Sequence, residues 1–432
     1  MNVLVVNIGS TSFKFRLLDM ATERVLASGG VEGVGTATAR ATLAFAERAA
    51  RAEPEAGTDA SSIPDQSAAV AWCLAALAWR GIRLDAVGLK AVHGGDLPEA
   101  VRVTAEVLRI MEEYADVAPS HNPAYIAAMR AFQAQMPDTP LVAAFETGFH
   151  RTVPAARTTF AIPHAWTRDH GIRRYGFHGA SHRYVAERTA ELLGGSARPA
   201  GANGLRIISC HLGGSSSLCA IKDGRSIATS MGMTPQSGLP QNNRVGDFEA
   251  HALLRLKTRT GLDYEDLLAR LAREGGLLGI SGRNDMAEIV AVATNSSAGA
   301  AATDCTEHCQ RARLAVDVYV ESVRHYLGAY VVALGGLDAL VFTGGIGEHS
   351  PEIRRRVCAD LEFLGIELDP ARNEQAQPDA IVSPDGARVA VLTVRTNEEL
   401  IVARQTVAVL SERQPAVASG SSRRGTGESA LT

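Results

Sequence analysis

The chain has 432 residues, 46% of them apolar, a net charge of −4 and a mean hydropathy of zero. This length suits two cores better than one, and the composition is that of a soluble globular protein. The near balance of 43 basic and 47 acidic residues gives no footing to a nucleic-acid or membrane partner, and no apolar run is long enough to span a bilayer. The chain enters an apolar run at once, without the basic and apolar regions of an export signal, so a cytoplasmic location is expected. Six cysteines, at 73, 210, 219, 305, 309 and 358, form no framework. Cys210 and Cys219 read as small core hydrophobes. Cys305 and Cys309 flank His308, but no second ligand pair stands nearby, so reduced thiols one helical turn apart are the preferred reading over a metal site.

Val3, Leu4, Val5 and Val6 form a short β-branched run that predicts a buried strand. Residues 7–12 (NIGSTS) break it, and Phe13, Phe15 and Leu17 resume on alternate positions, which predicts a hairpin. Its loop offers Asn7, Gly9, the hydroxyls of Ser10, Thr11 and Ser12, and the cation Lys14. Such a set suits a phosphate chain; an ordinary hairpin with a polar tip is the alternative. Residues 20–35 read as another strand pair, 38–52 as an Ala- and Arg-rich helix, 54–66 as a surface loop and 68–80 as a helix. A strand over 84–92 ends at His93-Gly94-Gly95. Asn122 and Pro123 fit N-cap and first turn of a helix over 124–134. A strand over 141–145 ends at Glu146.

A second unit begins near 151. Residues 186–193 are helical and 194–204 a flexible loop; a strand over 205–210 runs into HLGGSSS, and the next starts at 218–221. Residues 229–247 make a long loop ending NRVGD, and helical patterns cover 248–273 and 310–333. A strand over 337–342 precedes TGGIGE, and Ser350-Pro351 opens a helix. A late strand over 389–394 leads to TNEE and a helix to about 411; 414–432 read as a disordered tail. The hairpin of 3–18 recurs at 206–224, and the strand-to-GG step of 92–95 recurs at 343–345. Two copies of one βββαβα unit, facing each other over a cleft with a nucleotide between them, account for both repeats.

Taken together, NIGSTSFKF, AVHGG, SHNP, FETGFH, RRYGFHGASH, HLGGSSS, TPQSGL, NRVGD, FTGGIGE and TNEEL resemble the acetate and propionate kinase family, within the sugar kinase, Hsp70 and actin superfamily. The resemblance implies an α/β, duplicated actin-like (ribonuclease H-like) fold. Its first domain would span 1–150 plus 396–413, and its second, carrying the nucleotide site, 151–395. It also implies transfer of phosphate from ATP to a short carboxylate with Mg2+ (Mn2+ as a substitute), and a homodimer. Carried over by position, Asn7 and Glu398 match metal-associated residues, and Lys14, with Ser10 and Ser12, a phosphate contact. His178 and Arg244 match transition-state stabilisers. Three segments match the nucleotide site: His211, Leu212, Gly213, Gly214 and Ser215; Asp285, Met286 and Ala287; and Gly344, Gly345, Ile346, Gly347 and Glu348. The chemistry asks for such types, since phosphoryl transfer is catalysed by positioning and by cations around a spreading negative charge.

Five positions depart from the family pattern. Lys90 stands for the Arg that binds the acceptor carboxylate, losing a planar fork. Glu146 stands for a catalytic Asp, and the two changes together are expected to keep an ion pair or shared geometry. Ser120 stands for a Leu in the acceptor pocket, beside Val92, Phe177 and Pro235, which suggests an acid larger or more polar than acetate. Gly214 for Asn and Ala287 for Arg each remove a donor, which suggests relaxed selectivity for the nucleobase or an altered phosphate donor.

Overall fold

The computed structural model describes residues 1–46, 63–119, 121–194, 204–295 and 307–412. Its first sheet contains β1 (Asn2–Ile8), β2 (Ser12–Asp19), β3 (Arg24–Glu32), β4 (Arg40–Phe45), β5 (Ala86–Ala91), β6 (Ala100–Arg102) and β7 (Leu141–Phe145), in the order β4-β3-β2-β1-β5-β7-β6. The second contains β8 (Arg206–Leu212), β9 (Ser216–Lys222), β10 (Arg225–Thr229), β11 (Ala339–Thr343), β12 (Ala380–Ile381) and β13 (Ala390–Thr393), in the order β10-β9-β8-β11-β13-β12. The cores β3-β2-β1-β5-β7 and β10-β9-β8-β11-β13 share one topology: an antiparallel meander, then two strands parallel to its first. The duplicated actin-like arrangement is therefore present.

Burial explains why the inner strands are apolar throughout rather than alternating. Leu4, Val6 and Ile8 face the Gln66–Ala78 and Asn122–Gln135 helices, while Val3 and Val5 face Leu400, Val402 and Ala403 of the Glu398–Ser411 helix. In the second sheet the Glu307–Leu334 helix covers Ile208, Cys210 and Leu212, and Val185 and Ala186 of the Gly179–Gly194 helix cover Ile207 and Val341 on the other face. The last helix thus returns to the first sheet, and no described helix is long and apolar enough to cross a membrane.

Several local expectations change. Residues 40–45 are a strand, not a helix: Ala41, Leu43 and Phe45 alternate, and the segment pairs with β3 from Ala27↔Phe45 to Glu32↔Arg40. Residues 24–32 form one strand, not two. Asn122 does not cap its helix; His121 precedes it, and the Asn122 amide instead donates to the carbonyls of His93 (3.0 Å) and Met111 (2.9 Å). The helix expected at 186 begins at Gly179. The pattern over 248–273 splits at Gly261, whose φ of +77° ends Ala252–Thr260, and Asp263 caps Tyr264–Arg273. Strand β10 and the Ala105–Glu113 and Met286–Asn295 helices were not anticipated. The expectations on 47–62, Ser120, 195–203, Cys305 and 413–432 lie outside the described residues.

Candidate active site

Two hollows meet at the tip of the β8–β9 hairpin. Gly213 and Gly214 line a cavity of about 1010 Å3 with Asp285, Met286, Ala287, Gly345 and Ile346. The next residue, Ser215, lines a smaller cleft of about 290 Å3 with Asn7, Ser12, Lys14, Lys90, His178 and Arg244. One turn therefore faces both.

The small cleft is built mostly from strand ends. Asn7 closes β1, where its Oδ1 accepts from the Tyr125 hydroxyl at 3.3 Å; that hydroxyl accepts from the Ile8 N–H at 2.8 Å. Lys14 faces Asn7 across the hairpin, and its ammonium pairs with Glu32 at 2.8 Å in solvent. Lys90, on β5, bonds Glu146 at 2.9 Å and also Glu398 at the start of the last helix. Burial alone would push the Lys90 ammonium down, but the two carboxylates outweigh it and hold its pKa well above the ordinary lysine value. Burial, with help from the Glu398 charge, raises Glu146 despite Lys90. Glu398 itself is lowered: burial opposes its charge, but the Lys90 ammonium outweighs it. The ion pair expected of Lys90 and Glu146 is thus formed, and one Glu146 oxygen, Oε2, is buried without a hydrogen-bond partner.

His178 sits at φ +58°, a backbone conformation rare outside glycine. Gly179 makes this possible, because a Cβ there would meet the Glu146 carbonyl at 2.4 Å, while its N–H donates to that oxygen at 3.0 Å. The imidazole stacks on His211, with centroids 4.1 Å apart, and its Nδ1 meets Ser217 at 2.8 Å. Burial, then the charge that His211 and His182 would carry if protonated and the standing charges of Lys90 and Arg244, keep its pKa well below the usual imidazole value, so it is neutral.

Arg244 has no carboxylate partner among the described residues. Its guanidinium donates to Ser215 (3.3 Å) and to Gln241 Oε1 (3.1 Å). Gln241 is fully buried, donates to the Pro235 carbonyl at 2.7 Å, and takes the Ser215 hydroxyl at 2.8 Å. It ties together three residues singled out from sequence, yet carried no signal itself, since an amide in a polar loop is unremarkable. Val92, Phe177 and Pro235 supply the cleft's apolar wall.

The nucleotide segments divide in their roles. Leu212 is core, fully buried. Gly344 and Glu348 lie in the short Gly344–His349 helix after β11, where the Gly344 N–H donates to the Glu348 carboxylate at 3.1 Å; Gly345 and Ile346 are the ones that reach the cavity. Asp285 lines the cavity and also accepts from the Ala287 N–H at 2.7 Å, starting the helix. Ser10 lines neither hollow. Asn242 Nδ2 lies 3.2 Å from where a Cβ on Gly214 would stand, and Asn242 lines the same cavity, so an amide donor stands beside the position where one was expected.

Cations converging on a small cleft, against a glycine-lined cavity on an actin-like frame, define a phosphotransferase. The chain belongs to the acetokinase family, whose model matches residues 2–404. It is 44% identical over 410 residues to acetate kinase of Leifsonia xyli, covering 93% of this chain and 97% of that one. It is 38% identical over 424 residues to propionate kinase of Citrobacter rodentium, covering 96% and 99%. The crystal structure of Porphyromonas gingivalis acetate kinase superposes with a TM-score of 0.82 at 36% identity, over 95% of this chain and all of that one. The enzyme is accordingly a kinase with a carboxyl group as acceptor and ATP as donor.

Proposed function

We propose that the chain transfers the γ-phosphoryl group of ATP to acetate, reversibly, giving acetyl phosphate. The observation that carries this reading is the single cleft lined by Lys90, His178 and Arg244 beside the larger cavity. In this reading the adenosine lies against Met286, Val290 and Ile346, and the phosphates pass Gly213 and Gly214 toward Lys14. An ammonium has three donors, and Lys90 spends two on Glu146 and Glu398; the third serves the acceptor carboxylate, with its methyl group against Val92, Phe177 and Pro235. A carboxylate is already an anionic nucleophile at neutral pH, so the site needs no general base. Neutral His178 and charged Arg244 donate to the equatorial oxygens as charge spreads over them.

Mg2+ fits the oxygen donors present. The unpaired, buried Glu146 Oε2, the Glu398 carboxylate and the Asn7 amide oxygen are hard ligands, and Mg2+ keeps several waters rather than needing a full protein cage. Asn7 and Glu398 would hold it, with Mn2+ able to replace it; once bound, it would neutralise and orient the phosphate oxygens. We also propose two hinged domains, 1–150 plus 396–413 and 151–395. Two chains would pair, checked by light scattering, in a reducing cytoplasm that suits the buried thiols Cys73, Cys210 and Cys358.

Trapping of acyl phosphate as hydroxamate, with ATP and a panel of acetate, propionate, butyrate and hydroxy acids, tests the reading. Acetate should show the highest kcat/KM. A propionate or longer-chain optimum moves the acceptor, and no product with any acid ends the proposal. Replacing ATP by GTP or pyrophosphate in the same assay reads donor choice.

A further inference from the structure

Four buried or half-buried histidines crowd the second half of the site, and each has a serine hydroxyl on Nδ1: His150 with Ser226 (2.9 Å), His178 with Ser217 (2.8 Å), His182 with Ser209 (2.9 Å) and His211 with Ser181 (2.8 Å). The hydrogen positions follow from the partners. At His150 the Nε2 faces the Phe177 carbonyl at 2.8 Å, which can only accept, so Nε2 carries the proton and Nδ1 accepts from Ser226. Ser209 and Ser181 are fully buried, and among the described contacts the only side-chain hydrogen-bond partner of each hydroxyl is a histidine Nδ1. Were the imidazole the donor there, each hydroxyl hydrogen would be stranded without an acceptor. Each serine therefore donates to its Nδ1.

The chain then runs one way. Ser209 donates to His182 Nδ1, His182 Nε2–H donates to Ser217 at 2.9 Å, and Ser217 donates its one hydrogen to His178 Nδ1. The proton of His178 is left on Nε2, and that of His211 likewise. Neither Nε2 has a protein partner among the described contacts, and neither is among the sealed, unpartnered atoms. The two rings stack within 22° of parallel, and His178 lines the cleft.

We propose that Ser217 and Ser181 are positioning residues that fix His178 and the His211 stacked behind it as neutral Nε2–H tautomers, so that His178 presents an uncharged donor to the phosphoryl group. The catalytic meaning of this arrangement rests on the phosphotransfer reading above; the tautomers themselves do not. In the reverse tautomer, His178 would turn a lone pair toward the phosphate oxygens and repel them.

Two-bond proton–nitrogen correlation spectra of the full chain labelled with 15N-histidine read the tautomers without any turnover, so the inference and the activity fail separately. His178 and His211 should show bare Nδ1 and protonated Nε2. Ser217→Ala should give His178 a mixed tautomer and lower kcat about tenfold, with KM values for ATP and acetate within about twofold. Ser226→Ala, which removes the same hydroxyl chemistry, should leave kcat within about twofold, because the Phe177 carbonyl still holds His150. A protonated Nδ1 at His178 in the parent protein overturns the proposal. Equal losses of kcat in the two variants overturn it as well. Should Ser217→Ala not fold, the spectrum of the parent decides.

Discussion

The β1–β2 and β8–β9 hairpins are one backbone design used twice, and a pair near each tip sets them apart chemically. Asn7 faces Lys14 in the first, and His211 faces Ser217 at the equivalent place in the second. The first pair puts a cation into solvent; the second sets a half-buried imidazole against a fully buried hydroxyl. The tips differ too: four residues separate Ile8 from Phe13, and three separate Leu212 from Ser216. One backbone can therefore serve charge neutralisation on one wall of a site and directed, uncharged hydrogen bonding on the other.

The largest test removes the cation that hangs on the second tip. Arg244→Ala should lower kcat by about a thousandfold with little change in thermal midpoint, because Arg244 reaches the cleft without a carboxylate partner to lose. A loss under tenfold would shift the burden to the first hairpin's side.

Acid should act next through buried histidines, which the first hairpin lacks, although His93 and His121 beside the first sheet are lowered by burial as well. On the second side, burial holds His150 at about 4 and keeps His178, His182 and His211 below the usual imidazole value. The folded values lie below the unfolded one, so the unfolded chain takes up the protons first as pH falls. Stability is complete above about pH 6.5 and declines below it, by roughly 1.4 kcal/mol per pH unit for each such histidine. Urea midpoints measured from pH 7 to pH 5 should fall, and His150→Gln should flatten the curve. A parent profile already flat over that range would contradict the buried, neutral network.

Exchanging an amide across the second tip sharpens the contrast further. Asn242→Gly should raise KM for ATP about tenfold, and adding Gly214→Asn should restore it. Gly214→Asn alone should be worse than the double variant, since the new side chain meets Asn242 Nδ2. Additive effects would show that the two positions do not share one space. Lys14→Gln should change least: the exposed pair with Glu32 contributes about 0–1 kcal/mol to stability, so the melting point holds while KM for ATP rises about threefold in steady-state kinetics at low salt.

The repeated hairpin, the strand-to-glycine steps and the order of the elements were legible because each rests on local pattern. Val3 to Val6 could only be a strand buried on both faces. Residues 40–45 misled because Ala and Arg suit helices, and the alternation that makes them an edge strand becomes decisive only beside β3. Lys90, His178 and Arg244 were legible only through the resemblance of their motifs to one family, and they do line one cleft. What could not be read were relations between distant small polar residues. Ser181, Ser209, Ser217 and Ser226 look like filler in strands and a helix until histidines from other elements arrive on them. Gln241 and Asn242 gain meaning only from the tip of another hairpin.

The Glu398–Ser411 helix has a consequence for biosynthesis. It covers Val3 and Val5 and brings Glu398 to Lys90, 308 residues away. Strand β1 is therefore made long before the helix that covers its second face. A nascent polypeptide that has not yet reached Glu398 can hold most of both sheets yet lacks one of the two carboxylates on Lys90, so the cleft is completed only once that helix has emerged.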